Sequence, residues 1–129
     1  DGRAPYKKSF YNHPCTKWVR ESQANYFWLW CHAMELCREY TRRYEKTHAT
    51  EDVIRWCSMG TRWFHEKEVS IMFDHEILTP FAQAMPDEYK VEGDAVQAYR
   101  NYYIGEKARF ATWKKPGLTP EWFQESVCV

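Results

Sequence analysis

Residues 22–46, SQANYFWLWCHAMELCREYTRRYEK, contain the longest amphipathic pattern in the chain and decide its fold class. Ser22 is a suitable N-cap, because its hydroxyl can accept a hydrogen bond from a free backbone N–H of the first helical turn. We therefore expect a helix from residue 23 to about residue 46. Its apolar residues follow the i, i+3, i+4, i+7 spacing of one helix face: Tyr26, Leu29, Trp30, Ala33, Cys37, Tyr40 and Tyr44.

Shorter helical patterns lie on both sides of this segment. Pro14 suits the first turn of a helix that reaches Arg20 and Glu21. A third helix is predicted to start at Thr50, followed by two acidic residues, and to end at Gly60. Residues 61–78 fit either a helix or irregular structure, or a short strand at about residues 69–73.

A second long helix is predicted from Asp94, as N-cap, to about residue 114, before Pro116 and Gly117. Pro120 then opens a last short helix. The stripe of the second long helix consists of Ala95, Tyr99, Tyr102, Tyr103, Phe110 and Trp113. The predicted fold is mainly all-α: two long amphipathic helices pack with three or four short ones and proline-bearing loops.

The length predicts one helical domain over residues 1–129, with residues 1–12 as an extended arm. The chain does not begin with Met, so we expect a processed protein or a fragment that lacks an N-terminal segment. No run of 18 apolar residues is present, which argues against a membrane span. The cytoplasm is the predicted location.

The composition is unusual because 18% of the residues are aromatic while the formal net charge is zero. Exposed rings would stack on bases, sugars or partner side chains, whereas buried rings would form the core. Neutrality argues against a protein that coats nucleic acid by charge alone, although a local basic stripe is compatible with it.

Five cysteines without a CxxC pair fit reduced thiols better than a disulfide framework. A zinc site from Cys31, His32, Cys37 and a distant ligand is conceivable, but its spacing matches no standard finger. Buried thiols are the favoured interpretation. We predict no metal and no cofactor.

Glu106 is the first candidate catalytic residue. It falls on the aromatic stripe, near Tyr102, Tyr103 and Phe110. A carboxylate desolvated among rings would have a raised pKa and could act as general acid or base. The alternative is a structural carboxylate at the edge of the stripe, paired with Lys107 or Arg109.

Glu21 and His13 are the other catalytic candidates. Glu21 follows Arg20 at a helix end, where it is either a working carboxylate in a cleft or half of a solvated ion pair. His13 could serve as acid, base or ligand beside Cys15, a potential thiolate near a helix N-terminus. Structural roles for His13 and Cys15 are the competing interpretation.

Side chains of two kinds suggest contacts to nucleic acid. Gln83, in the loop of residues 79–85, and Asn25 could read a base edge by paired donor and acceptor hydrogen bonds; Gln83 could equally cap a neighbouring helix. Arg20, Arg100 and Lys107 belong to a set of cations that could form one phosphate-binding face. The alternative is that most of these charges solvate a surface.

Several longer strings in this sequence resemble a family of small proteins encoded by tailed bacteriophages. The resemblance covers most of the chain and lapses between about residues 49 and 78. The matching segments are NHPC (12–15), Trp18, Arg20, Glu21, Asn25, Tyr26, Trp28, Leu29, EYTRRY (39–44), TPFAQAMPDEYK (79–90), AYRNYY (98–103), Glu106, Lys107 and PEWF (120–123).

Members of that family are labelled as similar to the pyrimidine-dimer DNA glycosylases of phage, small helical enzymes that remove damaged bases. The resemblance implies an additional N-terminal segment rich in His and Lys, and the cytoplasm of an infected bacterium as the location. Enzymes of that kind use the amine of an N-terminal Thr as nucleophile with a nearby Glu. This chain starts at Asp1, so no nucleophile is carried over and only a role for a Glu remains.

We therefore expect a helical protein that acts on DNA or on a nucleotide base, glycosylase-like or base-modifying. The alternative is a non-enzymatic module that binds a protein partner through exposed aromatic residues. Rings outside the two helical stripes are the ones expected to contact a ligand: Tyr11, Trp18, Trp28, Trp56, Trp63, Phe81 and Trp122.

Overall fold

A computed structural model of the protein describes residues 4–63, 77–115 and 117–127. These residues form helices, turns and loops without an extended strand, so the predicted all-α class is confirmed. The chain divides into two compact units, Asp1–Thr79 and Pro80–Val129. Within the first unit, residues 4–12 contain no helix and are exposed along their whole length.

Helix α1 spans Pro14–Glu21. Pro14 occupies its first turn, where the missing N–H costs nothing. The ring nitrogen Nδ1 of His13 accepts a hydrogen bond from the backbone N–H of Cys15 at 3.1 Å and so caps the helix. Trp18 is the buried residue of α1, and the helix packs against α2.

Helix α2 spans Gln23–Tyr44. Ser22 caps it as predicted, because its hydroxyl accepts from the backbone N–H of Asn25 at 3.0 Å. Glu45 ends it in a left-handed conformation (φ 55°), while its N–H donates to the Thr41 carbonyl. The helix therefore stops slightly earlier than the periodicity suggests.

Helix α3 spans Glu51–Trp63 and packs against α2. Two aromatic side chains of α2 donate to backbone carbonyls of α3: the Tyr26 hydroxyl to Cys57 at 3.1 Å, and Trp30 Nε1 to Ile54 at 2.8 Å. The prediction that Gly60 ends this helix is wrong. A glycine inside a helix costs only about 1 kcal/mol relative to alanine, so the helix continues through it. The alternatives for residues 64–76 fall outside the described residues.

The stripe predicted for α2 is only partly buried. Cys37 is buried, but Leu29 and Tyr44 are exposed, at 39% and 45%. Met34 and Asn25, both outside the predicted stripe, are buried instead. Helix α2 packs against both α1 and α3, so it buries more than one face and a single stripe cannot describe it.

The second unit begins with a segment without regular structure, followed by a 3₁₀ turn, Asp87–Tyr89. Helix α4 spans Ala95–Tyr102, and Asp94 caps it by accepting from the backbone N–H of Gln97 at 3.0 Å. Helix α5 spans Glu121–Val127. The small Ala98 is fully buried on α4.

The predicted long helix to residue 114 does not continue as α-helix. After α4 the backbone forms a π turn, Tyr103–Lys107, and a 3₁₀ turn, Ala108–Phe110. Residues 111–113 follow without regular structure. The change of helical period rotates the later side chains away from the stripe expected of a regular α-helix, and Tyr103 and Phe110 are exposed.

Candidate functional site

Glu21 lies at the end of α1 and accepts a hydrogen bond from the Thr79 hydroxyl, with 3.0 Å between Oγ1 and Oε2. The predicted pair with Arg20 is not formed. The Arg20 guanidinium instead donates to the Tyr11 carbonyl at 2.8 Å and lies 3.8 Å from the centre of the Tyr11 ring. Among the residues that the structure describes, no cation lies within ion-pair distance of the Glu21 carboxylate.

Asn25 is fully buried beside Glu21, and its amide is used on both sides. Nδ2 donates to the Trp18 carbonyl and to Thr79 Oγ1, each at 2.7 Å, and Oδ1 accepts from the Thr79 backbone N–H at 2.9 Å. The prediction that Asn25 reads a base edge is therefore corrected: no face of this amide is open to a ligand. Asn25 instead ties the loop at Thr79 to α1 and α2.

His13 is exposed, and its Nδ1 is occupied by capping α1. The structure thus gives His13 a structural task, which the sequence analysis named as the alternative. Cys15, whose N–H makes this bond, is half-buried.

Gln83 pairs with the backbone of Val91 in the second unit. Its Nε2 donates to the Val91 carbonyl at 2.6 Å, and its Oε1 accepts from the Val91 N–H at 2.9 Å. Neither base reading nor helix capping is its observed role. The Gln83 amide thereby gives the Val91 backbone the donor and the acceptor that a neighbouring strand would otherwise supply.

A group of aromatic and charged side chains is linked by contacts on and near the π turn. The Tyr89 hydroxyl donates to Glu106 Oε1 at 2.9 Å, and the rings of Tyr89 and Tyr102 lie 5.5 Å apart. Tyr102 in turn contacts Tyr103 edge to face at 6.3 Å. We call the following set the tyrosine–glutamate cluster: Tyr89, Tyr102, Tyr103, Glu106, Lys107 and Phe110.

The lysine of this cluster lies over two rings. Lys107 Nζ is 5.3 Å from the centre of Tyr102 and 5.5 Å from the centre of Phe110. The Arg109 guanidinium lies 5.5 Å from the same Phe110 ring. Neither cation pairs with Glu106, so the alternative of an edge carboxylate bound to Lys107 or Arg109 is not what the structure shows.

Gly105 lets Tyr89 reach Glu106. A Cβ atom at Gly105 would lie 2.5 Å from Tyr89 Cε1 and 2.8 Å from its hydroxyl oxygen, far inside van der Waals contact. The tyrosine ring therefore rests directly on the backbone of the π turn. The π turn is a common companion of functional sites because it changes the direction of side chains within a helix.

Glu106 is half-buried, and its hydrogen bond with Tyr89 changes the pKa of the tyrosine. The carboxylate raises the pKa of the Tyr89 hydroxyl, because the hydrogen bond favours the protonated phenol and the negative charge opposes ionisation. Within the described residues, no further hydrogen bond or ion pair of Glu106 is observed.

Some cations of the described residues form ion pairs with carboxylates, whereas others lie over aromatic rings. Arg38, Arg42, Arg43, Arg55 and Lys90 each pair with a carboxylate three or four residues away. Hydrogen bonds from Arg42 and Arg43 lower the pKa of Glu39 to about 2. Arg100, by contrast, lies over the Trp122 ring at 5.6 Å. Of the cations predicted for a phosphate-binding face, Arg100 and Lys107 thus lie over rings, and Arg20 lies over the Tyr11 ring.

The rings expected to serve a ligand divide into three groups. Trp18 is buried at 6% exposure and belongs to the core, which corrects the prediction for it. Tyr11, Trp28 and Trp56 are exposed, and Trp28 stacks on His32 at 4.9 Å. Phe81 and Trp122 are half-buried, and the Trp63 side chain lies outside the described part of the chain.

Only Glu106 and Lys107 of the tyrosine–glutamate cluster are candidates on sequence grounds; the four aromatic members are not among them. Tyr89 follows a proline in a predicted loop, and nothing in the spacing connects it with Glu106. Tyr103 and Phe110 belong to the stripe that an α-helical period predicts, and rings on that stripe are not expected to contact a ligand. The connection between Tyr89 and Glu106 becomes visible only in the structure, where the Tyr89 ring lies against Gly105.

No group of three or more His, Cys, Asp or Glu side chains in the described ranges is arranged to hold a metal ion. In the same ranges, no helix is both long enough and apolar enough to span a bilayer. Comparison with protein-family models, with curated proteins and with solved structures gives no match to this chain.

Proposed function

We propose that this protein binds nucleic acid or a nucleotide base through the tyrosine–glutamate cluster and the cations beside it. The observation that supports the proposal is the exposure of Tyr103 (51%) and Phe110 (58%) beside Lys107 and Arg109. Exposed rings next to cations are the combination by which proteins bind single strands: bases stack on the rings while the cations meet phosphates.

The local charge supports the same surface. Residues 95–115 contain five cations and one carboxylate, Glu106, although the whole chain is neutral. None of these five cations takes part in an ion pair within the described structure. They are Arg100, Lys107, Arg109, Lys114 and Lys115. A neutral protein can therefore present a positive surface to a polyanion at this segment.

Glu106 is the residue to which we assign any base-modifying or glycosylase-like chemistry. Tyr89 holds one oxygen of the carboxylate, and the other faces no described partner. A carboxylate so placed can accept a proton or stabilise positive charge that develops on a sugar during bond cleavage. Glu21, whose Oε2 is bound to Thr79, is a separate candidate carboxylate in the first unit.

Binding to a fluorescently labelled single-stranded oligonucleotide, measured by anisotropy over a range of salt concentrations, tests the proposal. The double variant Lys107→Ala, Arg109→Ala should weaken binding and reduce the slope of log K against log salt by about 1.4, since each phosphate contact contributes about 0.7. Arg38→Ala is the matched control, because Arg38 is exposed but paired with Glu35. Absence of binding by the unmodified protein would overturn the proposal.

Truncation of the rings gives an independent measure. Stacking contributes about 1–3 kcal/mol per base, so Phe110→Ala or Tyr103→Ala should weaken binding about 5- to 150-fold. Trp56→Ala is the control, because Trp56 is also an exposed ring (43%) but lies on α3. An equal loss in all three variants would contradict a role specific to the cluster.

The enzymatic part of the proposal is tested separately. The protein is incubated with duplexes that carry damaged, uracil or hypermodified bases, and released bases and abasic sites are measured. Product that disappears in Glu106→Gln but persists in Glu92→Gln, an exposed carboxylate of the same unit, would support it. Absence of product over the whole panel would reject the enzymatic part and leave binding as the function.

Exposed aliphatic side chains favour a second candidate, a module that binds a protein partner. Leu29 and Leu36, separated by two helical turns on α2, are 39% and 65% exposed. Such side chains contribute to the apolar centre of protein interfaces. Binding through them should change little with salt, whereas binding to nucleic acid should weaken steeply as salt is added.

A further inference from the structure

The free part of the Glu106 carboxylate restricts which base can approach it. An ionised carboxylate accepts hydrogen bonds and cannot donate them. Tyr89 already donates to Oε1 at 2.9 Å, which fixes the orientation of the group and leaves Oε2 and the remaining lone pair of Oε1. A ligand edge that fits here must present N–H donors.

The four common bases differ in this respect. Guanine presents two neighbouring donors on its Watson–Crick edge, N1–H and the 2-amino group, followed by the O6 acceptor. Adenine and cytosine present one amino group beside a ring nitrogen whose lone pair would face the carboxylate. Thymine and uracil present N3–H between two carbonyl oxygens, which the carboxylate repels.

Lys107 adds the complementary group. It follows Glu106 directly in the π turn, and its ammonium donates without accepting. Its Nζ lies over the rings of Tyr102 and Phe110, so the cluster offers acceptors for N1–H and the 2-amino group at Glu106 and a donor for O6 at Lys107. The exposed rings of Tyr103 and Phe110 provide faces on which a purine can stack.

We propose that the tyrosine–glutamate cluster selects guanine, with the Watson–Crick edge donating to Glu106, O6 accepting from Lys107 and the ring stacking on an exposed aromatic side chain. This inference rests on the proposed function, since it names the base that the same surface prefers. Tyr89 is a positioning residue in it: the tyrosine orients the carboxylate and does not touch the base.

The test uses the full chain and five-residue single strands of thymidine whose central position is guanine, hypoxanthine, adenine, cytosine or thymine. A single guanine prevents the strands from forming quadruplexes. A bidentate contact predicts that the guanine strand binds about 5- to 100-fold more tightly than the thymine strand. Hypoxanthine, which lacks the 2-amino group, should lose most of this preference although its ring and O6 are unchanged.

Variants then assign the preference to residues. Glu106→Gln should bring the ratio of guanine to thymine affinity close to one, and Tyr89→Phe should reduce the ratio in part. Glu92→Gln should keep the ratio of the unmodified protein. Circular dichroism of each variant verifies the fold, and the hypoxanthine comparison needs no variant at all.

The outcomes separate the two proposals. Equal, salt-sensitive binding to all five strands by the unmodified protein overturns guanine selection and leaves nucleic-acid binding standing. No binding to any strand overturns both. A preference for guanine that survives in Glu106→Gln shows that another group reads the base and overturns the assignment to Glu106.

Discussion

Asn25 and Thr79 hydrogen-bond to each other in both directions: Asn25 Nδ2 donates to Thr79 Oγ1 at 2.7 Å, and the Thr79 N–H donates to Asn25 Oδ1 at 2.9 Å. The same Thr79 hydroxyl donates to Glu21. Trp18 Nε1 lies 3.3 Å from the Thr79 carbonyl and completes the network. A buried polar side chain thus holds Thr79 at the junction of α1 and α2.

Replacement of Asn25 by Leu should destabilise the protein by about 2–4 kcal/mol, because it removes three hydrogen bonds of a fully buried side chain, to the Trp18 carbonyl, the Thr79 hydroxyl and the Thr79 N–H. Chemical unfolding in urea measures the loss. Asn12→Ala is the control: Asn12 is exposed, and its replacement should change stability by less than about 0.5 kcal/mol. An Asn25→Leu protein as stable as the unmodified one would show that this network contributes nothing.

Gly105→Ala should destabilise the second unit by about 1–3 kcal/mol, because the new methyl group collides with the Tyr89 ring. In a Tyr89→Ala background the same change should be neutral or stabilising, since alanine is favoured over glycine in helical backbone by about 1 kcal/mol. Thermal unfolding of the four proteins of this cycle gives both values. The same sign in both backgrounds would mean that the ring is not the obstacle.

Gln83→Ala should cost about 1–3 kcal/mol, because it removes two hydrogen bonds that the loop makes to Val91. Gln97→Ala is the matched control. The Gln97 amide bonds to Asn101 on the exposed surface of α4, where water replaces it readily. Urea unfolding that finds equal losses in the two variants would contradict the structural role of Gln83.

Stability should fall as pH rises from about 10 to about 12, and Tyr26 is one cause. Burial raises the pKa of Tyr26 to about 12, and its proximity to Cys57 acts in the same direction. In this window the unfolded tyrosine has lost its proton while the folded one keeps it, so unfolding becomes more favourable as pH increases. Below pH 10 both states are protonated, and this group contributes no pH dependence.

The slope of unfolding free energy against pH should therefore be smaller in Tyr26→Phe between pH 10 and 12. Tyr89, whose pKa is also raised, acts with the same sign and preserves part of the slope. Unfolding midpoints in a series of alkaline buffers give the comparison. An unchanged slope in the variant would refute the assignment to Tyr26.

The start of the fold could be predicted because its determinants are local. Pro14 and Ser22 act on their own helices, and the periodicity of α2 extends over several turns. The interruption after Tyr102 could not be predicted: the ring that contacts Gly105 at this point comes from another segment. Hydrophobic periodicity records one face of one helix and contains no information on such contacts.

The candidate site could also be predicted only in part: residue types indicate candidates, but not the distant partners of their side chains. Glu106 was singled out because carboxylates are unexpected among rings, and it remains the candidate carboxylate with an oxygen that has no described partner. Asn25 and Gln83 were chosen for the chemistry of their amides. Those amides have partners far along the chain or across a loop, which residue type alone does not disclose.

The contact between Gly105 and Tyr89 also constrains how this sequence can vary. Any side chain at residue 105 would need the space that the tyrosine ring occupies. A smaller residue at position 89 would remove that restriction and, with it, the hydroxyl that orients Glu106. Related sequences should therefore change the two positions together, and a homologue that has lost the tyrosine should tolerate alanine or serine in the π turn.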